Sequence, residues 1–332
     1  MTVHDLSAPP AKEGRTHQLE LTGSEHRAVE ELATDLAATP PQLLDHPSWL
    51  ERARQLGAQL PSRLREAVRD YRHDPGVQGA LLLRNLPTGG DTLPDTPSVK
   101  DSVERTATVA AATSALIGLA LGELVAYREE KSGALVQNVV PVRGLESSQS
   151  NAGSAAELEL HVENAFHPFR PDFVGLLCLR SDTVTRAGTR VASVRQALPL
   201  IDEADTKVLL QSRFVTAPPP SFRSGEGTWA HPVLDGSPDD PNICVDFNAT
   251  TALDDEAAQV LERLRRTFGQ VAQSVRLAPG EMVLVDNRVV LHGRDHFAPR
   301  YDGRDRWLQR IFVHLDNRRT RGHRTGNGAV MV

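Results

Sequence analysis

Residues 157–172 read Glu-Leu-Glu-Leu-His-Val-Glu-Asn-Ala-Phe-His-Pro-Phe-Arg-Pro-Asp. Within this stretch, one residue separates His161 from Glu163. In an extended strand, side chains at positions i and i+2 lie on the same face. We therefore expect an imidazole and a carboxylate side by side, an arrangement that can hold a metal ion. The triplet alone is a weak signal, because a lone strand histidine is more often structural.

A distant histidine and two arginines strengthen the metal interpretation. His292 ends an apolar run, and Arg306 and Arg310 follow on a later strand pattern. Two imidazoles and one carboxylate leave half of an octahedral shell open, which is typical of non-haem Fe(II) that also binds a cosubstrate and O₂. Each guanidinium can bind a carboxylate through two hydrogen bonds. The alternative for the arginines is an ordinary surface pair.

Composition limits the class of protein. The 332 residues are 39% hydrophobic, which is enough for one large core with appended helices. The net charge of −6, without a basic tract, argues against a nucleic-acid partner. Cys178 and Cys244 lie in apolar runs and are expected to be buried thiols, with a disulfide as the alternative. We found neither a signal-peptide pattern nor an apolar run long enough for a membrane span, so we expect a cytoplasmic protein without a membrane partner. The oligomeric state stays open.

Periodicity predicts a mainly β protein with flanking helices, organised as a β-sandwich or a jelly roll (a double-stranded β-helix), and we expect the jelly roll. Helices are expected over 25–39, 47–72, 101–121, 202–213 and 253–273. Strands are expected over 79–84, 134–140, 173–179, 189–193, 243–248, 281–286, 289–292 and 307–313.

We expect a single domain over 1–332. Residues 1–20 would form a tail or an edge strand, and 21–125 a mainly helical flank. Residues 126–316 would form the jelly-roll core, with the helix 253–273 inserted in it, and 317–332 would be a frayed tail. The stretch 216–241, rich in Pro, Gly and Ser, is expected to be either a lid over a site or a plain surface insertion.

Several longer strings carry a resemblance that the triplet alone does not. They are Gly-Ala-Leu-Val-Gln-Asn-Val-Val-Pro-Val at 133–142, Asn-Ala-Gly-Ser at 151–154, the string that runs from His161 to 172, Val-Asp-Asn-Arg-Val at 285–289, His-Gly-Arg at 292–294, and Pro-Arg-Tyr-Asp-Gly-Arg-Asp-Arg-Trp-Leu-Gln-Arg at 299–310. Over about 79–313 the chain resembles the clavaminate-synthase-like family of Fe(II)/2-oxoglutarate oxygenases. It is most similar to the branch that hydroxylates free L-amino acids, especially its asparagine-hydroxylating members. Arginine and lysine hydroxylases are further relatives.

The resemblance implies a role for each of ten residues. His161, Glu163 and His292 would bind Fe(II). Arg306 and Thr189 would bind the distal carboxylate of 2-oxoglutarate. For the substrate, the resemblance implies Arg310 for the α-carboxylate, Glu130 for the ammonium, Gln137 for the amino-acid core, and Asn151 and Asp246 for the far end of the side chain. Since Glu130 and Arg310 carry opposite charges, they would suit the two ends of a zwitterion.

The resemblance also implies the reaction. 2-Oxoglutarate and O₂ would be consumed to hydroxylate an unactivated C–H bond, most often at C3, in specialised (antibiotic) metabolism. Glu163 argues against a halogenase, which lacks this ligand. Position 248 is Asn where arginine hydroxylases tend to carry a second Asp, which leaves asparagine-like and lysine-like substrates open. Alternatives are a carrier-bound substrate, a desaturation outcome, or a non-catalytic jelly-roll binding protein. We expect His167 to be structural and most other histidines to be solvated.

Overall fold

The computed structural model describes residues 17–90, 93–222 and 228–332. Its helices lie mainly in the first half of the chain. They are α1 (Gly23–Ala38), α2 (Pro47–Gly57), α3 (Ser62–His73), α4 (Val109–Leu121), α5 (Val194–Ala197), α6 (Glu203–Leu209) and α7 (Asp255–Val271). The strands are β1 (His17–Glu20), β2 (Ala80–Arg84), β3 (Val103–Glu104), β4 (Glu123–Tyr127), β5 (Val136–Val139), β6 (Leu158–His161), β7 (Phe173–Arg180), β8 (Thr189–Ser193), β9 (Phe214–Thr216), β10 (Leu234–Ser237), β11 (Asp240–Ile243), β12 (Thr250–Ala252), β13 (Gln273–Val275), β14 (Met282–Asp286), β15 (Val290–Arg294), β16 (Trp307–His314) and β17 (Val330–Met331).

Two sheets carry the architecture. The larger sheet runs in the order β1-β2-β14-β7-β16-β4-β17, and β5, which pairs with β16, brings β3 along. The smaller sheet runs in the order β13-β8-β15-β6. Two further pairs, β10 with β11 and β12 with β9, lie outside both sheets. This mainly β architecture with flanking helices confirms the predicted jelly-roll class.

Strand β16 separates two apolar layers, because its successive side chains point to opposite faces. Trp307 and Ile311 pack in the layer that contains the helices. Leu308 and Phe312 pack in the layer that lies inside the jelly roll. All eight residues of β16 are buried, as expected for a strand covered on both faces. Its inward face is the one that points toward the site described below.

Helix α4 is the centre of the helical layer. It packs against α1, α2, α3 and the outer face of β16. A helix that is apolar on all sides is usually buried on all sides, and most residues of α4 are buried. The Thr108 hydroxyl accepts a hydrogen bond from the Ala111 N–H at 3.2 Å and caps its first turn. The predicted helix 101–121 was therefore too long at its beginning.

The predicted helix 47–72 was wrong in one respect, because the structure has two helices there. Helix α2 ends at Gly57 and α3 begins at Ser62, with Pro61 at the break. Proline has no backbone N–H to donate within a helix and fits best at a helix beginning. Strand β4, which pairs with β16, had not been predicted at all.

Both ends of the described chain are paired. Strand β1 pairs in parallel with β2 at the sheet edge, so of the two expectations for 1–20 the edge strand applies to His17–Glu20. Residues 1–16 lie outside the described residues. The expectation of a frayed tail after 316 was wrong, because β17 pairs in parallel with β4.

The stretch 216–241, predicted as a lid or an insertion, contains most of the β10–β11 hairpin, which extends to Ile243. Residues 223–227 lie outside the described residues, and a lid role stays a prediction. Strand β11 ends at Ile243, earlier than the predicted strand 243–248. Pairing nevertheless continues, since the Val162 N–H donates to the Val245 carbonyl at 2.9 Å. Among the described helices, none is long and apolar enough to cross a bilayer.

Candidate active site

The predicted metal ligands meet because β6 and β15 pair in antiparallel register. His292 lies opposite His161 in this register, and the two ring centroids are 4.5 Å apart. Glu163 lies in a turn, two residues beyond the end of β6. One ligand atom from each of His161, Glu163 and His292 lies within 4.8 Å of the other two. The predicted triad is therefore assembled at the edge of the smaller sheet.

The nitrogen atoms of the two imidazoles are oriented for a metal ion. His292 Nε2 lies 3.5 Å from Oε2 of Glu163. His161 Nδ1 lies 2.8 Å from the Glu159 carbonyl, so this nitrogen donates its proton and leaves Nε2 for a metal. Burial lowers the pKa of His292, followed by the effect of His161, which keeps the His292 imidazole neutral and its lone pair available. This donor set fits Fe(II) with open coordination positions.

Asn287 fixes the backbone of Glu163, and we had not predicted this role. Its Oδ1 accepts the Glu163 N–H at 2.7 Å, and its Nδ2 donates to the carbonyls of Glu163 at 3.0 Å and Pro171 at 2.9 Å. The side chain is fully buried and lies between β14 and β15. Asn287 therefore ties Glu163 to the turn that leads into the His292 strand. In the sequence, the position of this asparagine between two apolar strands could have indicated its role.

Arg310 connects the metal ligands to the residues predicted for the substrate. Its Nη1 donates to Oε2 of Glu163 at 2.8 Å, and its Nε donates to Oε1 of Gln137 at 3.2 Å. It also forms an ion pair with Glu130. The three residues that Arg310 contacts belong to separate segments of the chain. The structure therefore gathers them around one buried guanidinium.

The charges of this cluster are shifted by burial and by each other. Burial raises the pKa of Glu163, but Arg310 and then His292 outweigh it and hold the pKa well below its usual value. Burial also raises the pKa of Glu130, and there the attraction of Arg310 offsets it only in part. Burial lowers the pKa of Arg310, yet Glu163 and Glu130 raise it above its usual value. The Glu163–Arg310 pair therefore stays ionised.

A left-handed turn places Glu130. Lys131, Ser132 and Gly133 have φ angles of 46°, 54° and 71°, which non-glycine residues adopt rarely. Lys131 Nζ donates to the Asn138 carbonyl at 2.5 Å and to the Ser102 carbonyl at 3.3 Å. These bonds hold the turn against β5. We had predicted a role for Glu130 but none for its neighbour Lys131.

Arg306 and Thr189, the two residues predicted to bind the cosubstrate, contact each other. Arg306 Nη2 donates to the Thr189 hydroxyl at 3.2 Å, and both side chains are buried. Burial lowers the pKa of Arg306. Arg306 forms no ion pair with a carboxylate in the part of the chain that the structure describes. A buried guanidinium without a carboxylate is suited to an anionic ligand.

The two residues predicted for the far end of the substrate differ in placement. The backbones of Asp246 and His161 form an isolated antiparallel β-bridge, which puts Asp246 next to the triad. Its Oδ1 accepts the N–H groups of Asn248 at 2.8 Å and Ala249 at 3.2 Å. Asn151 is half-buried in the segment between β5 and β6. No hydrogen bond or ion pair among the described residues joins Asn151 to the triad.

The remaining histidines are not all solvated as expected. His231 and His314 are 9% and 3% exposed, so the expectation was wrong for both. His231 shares a hydrogen bond of 2.9 Å with the Thr216 hydroxyl. His167 fits a structural role, because its Nδ1 accepts the Phe169 N–H at 3.0 Å. His4 lies outside the described residues. Cys178 and Cys244 are free thiols.

Comparison with known proteins is consistent with this geometry. The model of the family described as "Taurine catabolism dioxygenase TauD, TfdA family" matches residues 54–312. An L-asparagine oxygenase from Streptomyces coelicolor is 45% identical over 327 residues, which are 98% of this chain and 98% of that protein. An L-lysine 3-hydroxylase from Catenulispora acidiphila is 35% identical, over 94% of this chain and 88% of that protein.

A solved structure extends the similarity to three dimensions. It is an asparagine oxygenase in complex with Fe(II), (2S,3S)-3-hydroxyasparagine and succinate, and it superposes with a TM-score of 0.92 at 45% identity, covering 95% of this chain and 99% of that one. The predicted resemblance, enzyme class and cofactors are thereby confirmed. The chain belongs to the TauD/TfdA family and is an Fe(II)- and 2-oxoglutarate-dependent oxygenase of the amino-acid hydroxylase kind.

Proposed function

We propose that this enzyme hydroxylates C3 of a free L-amino acid with an asparagine-like side chain. The observation that carries the proposal is the buried ion pair of Glu130 and Arg310, which adjoins Glu163 of the triad. An α-amino acid carries an ammonium and a carboxylate on one carbon, and an acid and a guanidinium match these two charges. A substrate held there would present its C3 toward the triad.

In this proposal, His161, Glu163 and His292 hold Fe(II). With 2-oxoglutarate bound, the iron supplies the activation of O₂ that C–H hydroxylation requires. The chain contributes the position of the donors. The pairing of β6 with β15 sets the distance between the imidazoles, and Asn287 sets the Glu163 backbone. Rigid support of this kind keeps a metal site selective for its geometry.

Arg306 and Thr189 bind the distal carboxylate of 2-oxoglutarate in this proposal. The guanidinium is already hydrogen-bonded to the Thr189 hydroxyl at 3.2 Å, so little side-chain freedom is lost when the carboxylate arrives. Because Arg306 has no carboxylate partner among the described residues, an incoming carboxylate compensates a buried charge. The support for this role is therefore electrostatic as well as geometric.

The substrate backbone binds between Glu130 and Arg310, with Gln137 beside the guanidinium. Without substrate, Arg310 pairs with both Glu130 and Glu163. A dication bound to Glu163 weakens its attraction for Arg310, since the carboxylate then shares its charge with the metal. Arg310 becomes available to the substrate carboxylate, and Glu130 to the ammonium. Binding of the amino acid is therefore expected to follow binding of the metal.

The far end of the substrate side chain meets Asp246 and Asn151. Because Oδ1 of Asp246 is already used by two backbone N–H groups, Oδ2 is left for the substrate. One carboxylate oxygen suits the N–H of a carboxamide. It also suits a lysine-like ammonium, which makes lysine the second candidate and matches the 35% identity to a lysine 3-hydroxylase. A guanidinium would be bound less completely, because position 248 is Asn.

A panel of free L-amino acids tests the proposal. The enzyme, loaded with Fe(II) and 2-oxoglutarate, is incubated in air with each amino acid, and products are scored by mass spectrometry for the gain of one oxygen atom. We expect asparagine to be the best substrate, and NMR of the product to place the hydroxyl on C3. Loss of two hydrogen atoms would indicate desaturation instead. Turnover of a carrier-bound amino acid but of no free one would contradict the proposal.

Two further aspects belong to the proposal. We place the enzyme in the cytoplasm. The support is that Cys178 and Cys244 are both free thiols, as is usual in a reducing compartment. We place the reaction in specialised metabolism, supported by the 34% identity, over 86% of this chain, to a protein named clavaminate synthase 2 from Streptomyces clavuligerus. Fractionation of producing cells and disruption of the gene, with profiling of the lost metabolite, test the two assignments separately.

A further inference from the structure

Arg294 is a second buried guanidinium next to the contact between Arg306 and Thr189. It lies two residues after His292 on β15, so both side chains are on the same face of the strand. In the pairing of β15 with β8, Arg294 lies directly opposite Thr189, and His292 lies opposite Val191. Directly opposite residues of an antiparallel pair share a face. Arg294 therefore projects from the same face as Thr189, whose hydroxyl Arg306 contacts.

The charge of Arg294 is poorly compensated. The residue is only 4% exposed, and it forms no ion pair within the described parts of the chain. Its Nη1 and Nη2 donate to the carbonyls of Ser150 and Ala156, both at 3.3 Å, and its Nε is buried without a partner. The ring of Phe297 lies 5.6 Å from its Cζ, which is a cation–π contact but supplies no opposite charge. A guanidinium is a cation at neutral pH.

Two buried cations that repel each other are costly unless an anion lies near them. Fold stability alone gives no reason to keep both, because hydrophobic residues could fill the same space. A dicarboxylate whose distal end reaches Thr189 would be attracted by both guanidiniums at once. The carbonyl bonds to Ser150 and Ala156 keep Arg294 in place before the ligand arrives. Such preorganised charge costs no rearrangement when the anion binds.

We propose that Arg294 is a further 2-oxoglutarate-binding residue, which supplies a second positive charge for the distal carboxylate beside Arg306 and Thr189. The inference rests on the proposed placement of the cosubstrate. In this role, Arg294 makes the site prefer oxo acids with two carboxylates over oxo acids with one. Its contacts with the 144–156 segment hold the side chain in position.

The test compares two oxo acids. The Fe(II)-loaded protein is titrated without oxygen with 2-oxoglutarate, and separately with 2-oxobutyrate, which lacks the distal carboxylate. Binding is read from the visible metal-to-ligand charge-transfer band. We expect Arg294→Gln to weaken binding of 2-oxoglutarate about tenfold or more, while the affinity for 2-oxobutyrate stays nearly unchanged. Arg294→Lys, which keeps the charge, is expected to recover most of the loss.

Arg190 provides a matched control. It lies opposite Gly293, so its side chain is on the outer face of the same strand pair, where it binds Glu157 at 2.7 Å. Arg190→Gln removes a charge of the same sign close by and is expected to leave both affinities unchanged. Circular dichroism and a melting curve verify that each variant is folded.

The outcomes separate the possible explanations. Equal weakening of both oxo acids in Arg294→Gln would mean that the residue only holds the 144–156 segment, and would overturn the proposal. An unchanged affinity for 2-oxoglutarate would also overturn it, and would leave the hydroxylase function standing. If Arg294→Gln does not fold, Arg294→Met, which also removes the charge but keeps an unbranched side chain, is titrated with the same two oxo acids and judged by the same two outcomes. Failure of the amino-acid panel, by contrast, concerns the proposed function and not Arg294.

Discussion

Arg310 donates a hydrogen bond from Nη1 to Oε2 of Glu163 at 2.8 Å, so the guanidinium assigned to the substrate is paired with a metal ligand. Both side chains are buried, and the pair is therefore weakly screened by water. A metal ion bound by the triad would share this carboxylate with Arg310. The proposed sites for metal and substrate would therefore be electrostatically linked through Glu163.

This link predicts that metal increases the affinity for the amino acid. Calorimetric titration with asparagine, without oxygen and with 2-oxoglutarate present, is expected to show much tighter binding with Co(II) than without metal. Arg310→Lys keeps the charge but loses the planar fork, and is expected to weaken asparagine binding about tenfold or more. Its affinity for 2-oxoglutarate should stay close to that of the unsubstituted enzyme. Arg266→Lys, at an exposed position on α7, is the control.

An affinity for asparagine that does not depend on the metal would contradict the linkage. Equal loss of affinity for asparagine and 2-oxoglutarate in Arg310→Lys would show general damage to the site and would remove the assignment of Arg310 to the substrate.

Asp246 is predicted to select the side chain of the substrate. Asp246→Asn keeps an acceptor for the N–H groups of Asn248 and Ala249, but replaces the free oxygen with a donor. We expect kcat/KM for asparagine to fall about tenfold or more, with little change in melting temperature. Asp239→Asn, at an exposed position, is the control. Unchanged kcat/KM in Asp246→Asn would exclude this residue from the substrate site.

Asn248 offers a gain-of-function test. Asn248→Asp adds the second carboxylate that arginine hydroxylases tend to carry, and two carboxylates bind a guanidinium more completely than one. The ratio of kcat/KM for arginine over asparagine is expected to rise on the order of tenfold. A competition assay with both amino acids in one reaction measures this ratio directly. A ratio that stays constant would mean that position 248 does not contact the substrate.

Gly293 is predicted to be required for the pairing of the ligand strands. A Cβ at this position would collide with the Leu158 carbonyl, which belongs to the facing strand β6. Gly293→Ala is expected to cost about 1–3 kcal/mol in the free energy of unfolding and to weaken metal binding. Gly269→Ala is the control, because nothing lies within 4 Å of a Cβ on this exposed part of α7. It is expected to increase stability by about 0.5–1 kcal/mol.

Chemical denaturation measures the stability of both variants, and titration with Co(II) measures metal affinity. If Gly293→Ala retained both quantities, the close approach of β15 and β6 would not be important for the site.

The sequence could predict that the triad residues come together because two features are local. Strand geometry predicted His161 and Glu163 side by side, and they do meet although β6 ends at His161. His292 closes an apolar run, which β15 continues to Arg294. The register that brings His292 opposite His161 depends on pairing between distant segments, which spacing within one strand does not determine. For the same reason, the ion pair of Arg310 with Glu163 became visible only in the structure.

Other features were missed because their signals are non-local or ambiguous. The break at Pro61 was overlooked since the apolar spacing continues on both sides of it, although proline is a known helix boundary. Asn287 and Arg294 lie in strings that carried the family resemblance, but their partners are carbonyl groups of distant segments. His314 had been expected in solvent, yet the last position of β16 is covered on both faces.

Metal binding by variants of the triad shows whether His161, Glu163 and His292 form the iron site. Titration of the metal-free protein with Fe(II), without oxygen, and the assay of substrate-dependent succinate formation are applied to Glu163→Ala and His292→Ala. His296→Ala, at an exposed position near His292, is the control. We predict that Glu163→Ala and His292→Ala lose more than about 100-fold in metal affinity and form no succinate in response to the amino acid, while His296→Ala retains both. Full metal affinity and full succinate formation in folded Glu163→Ala would contradict the account.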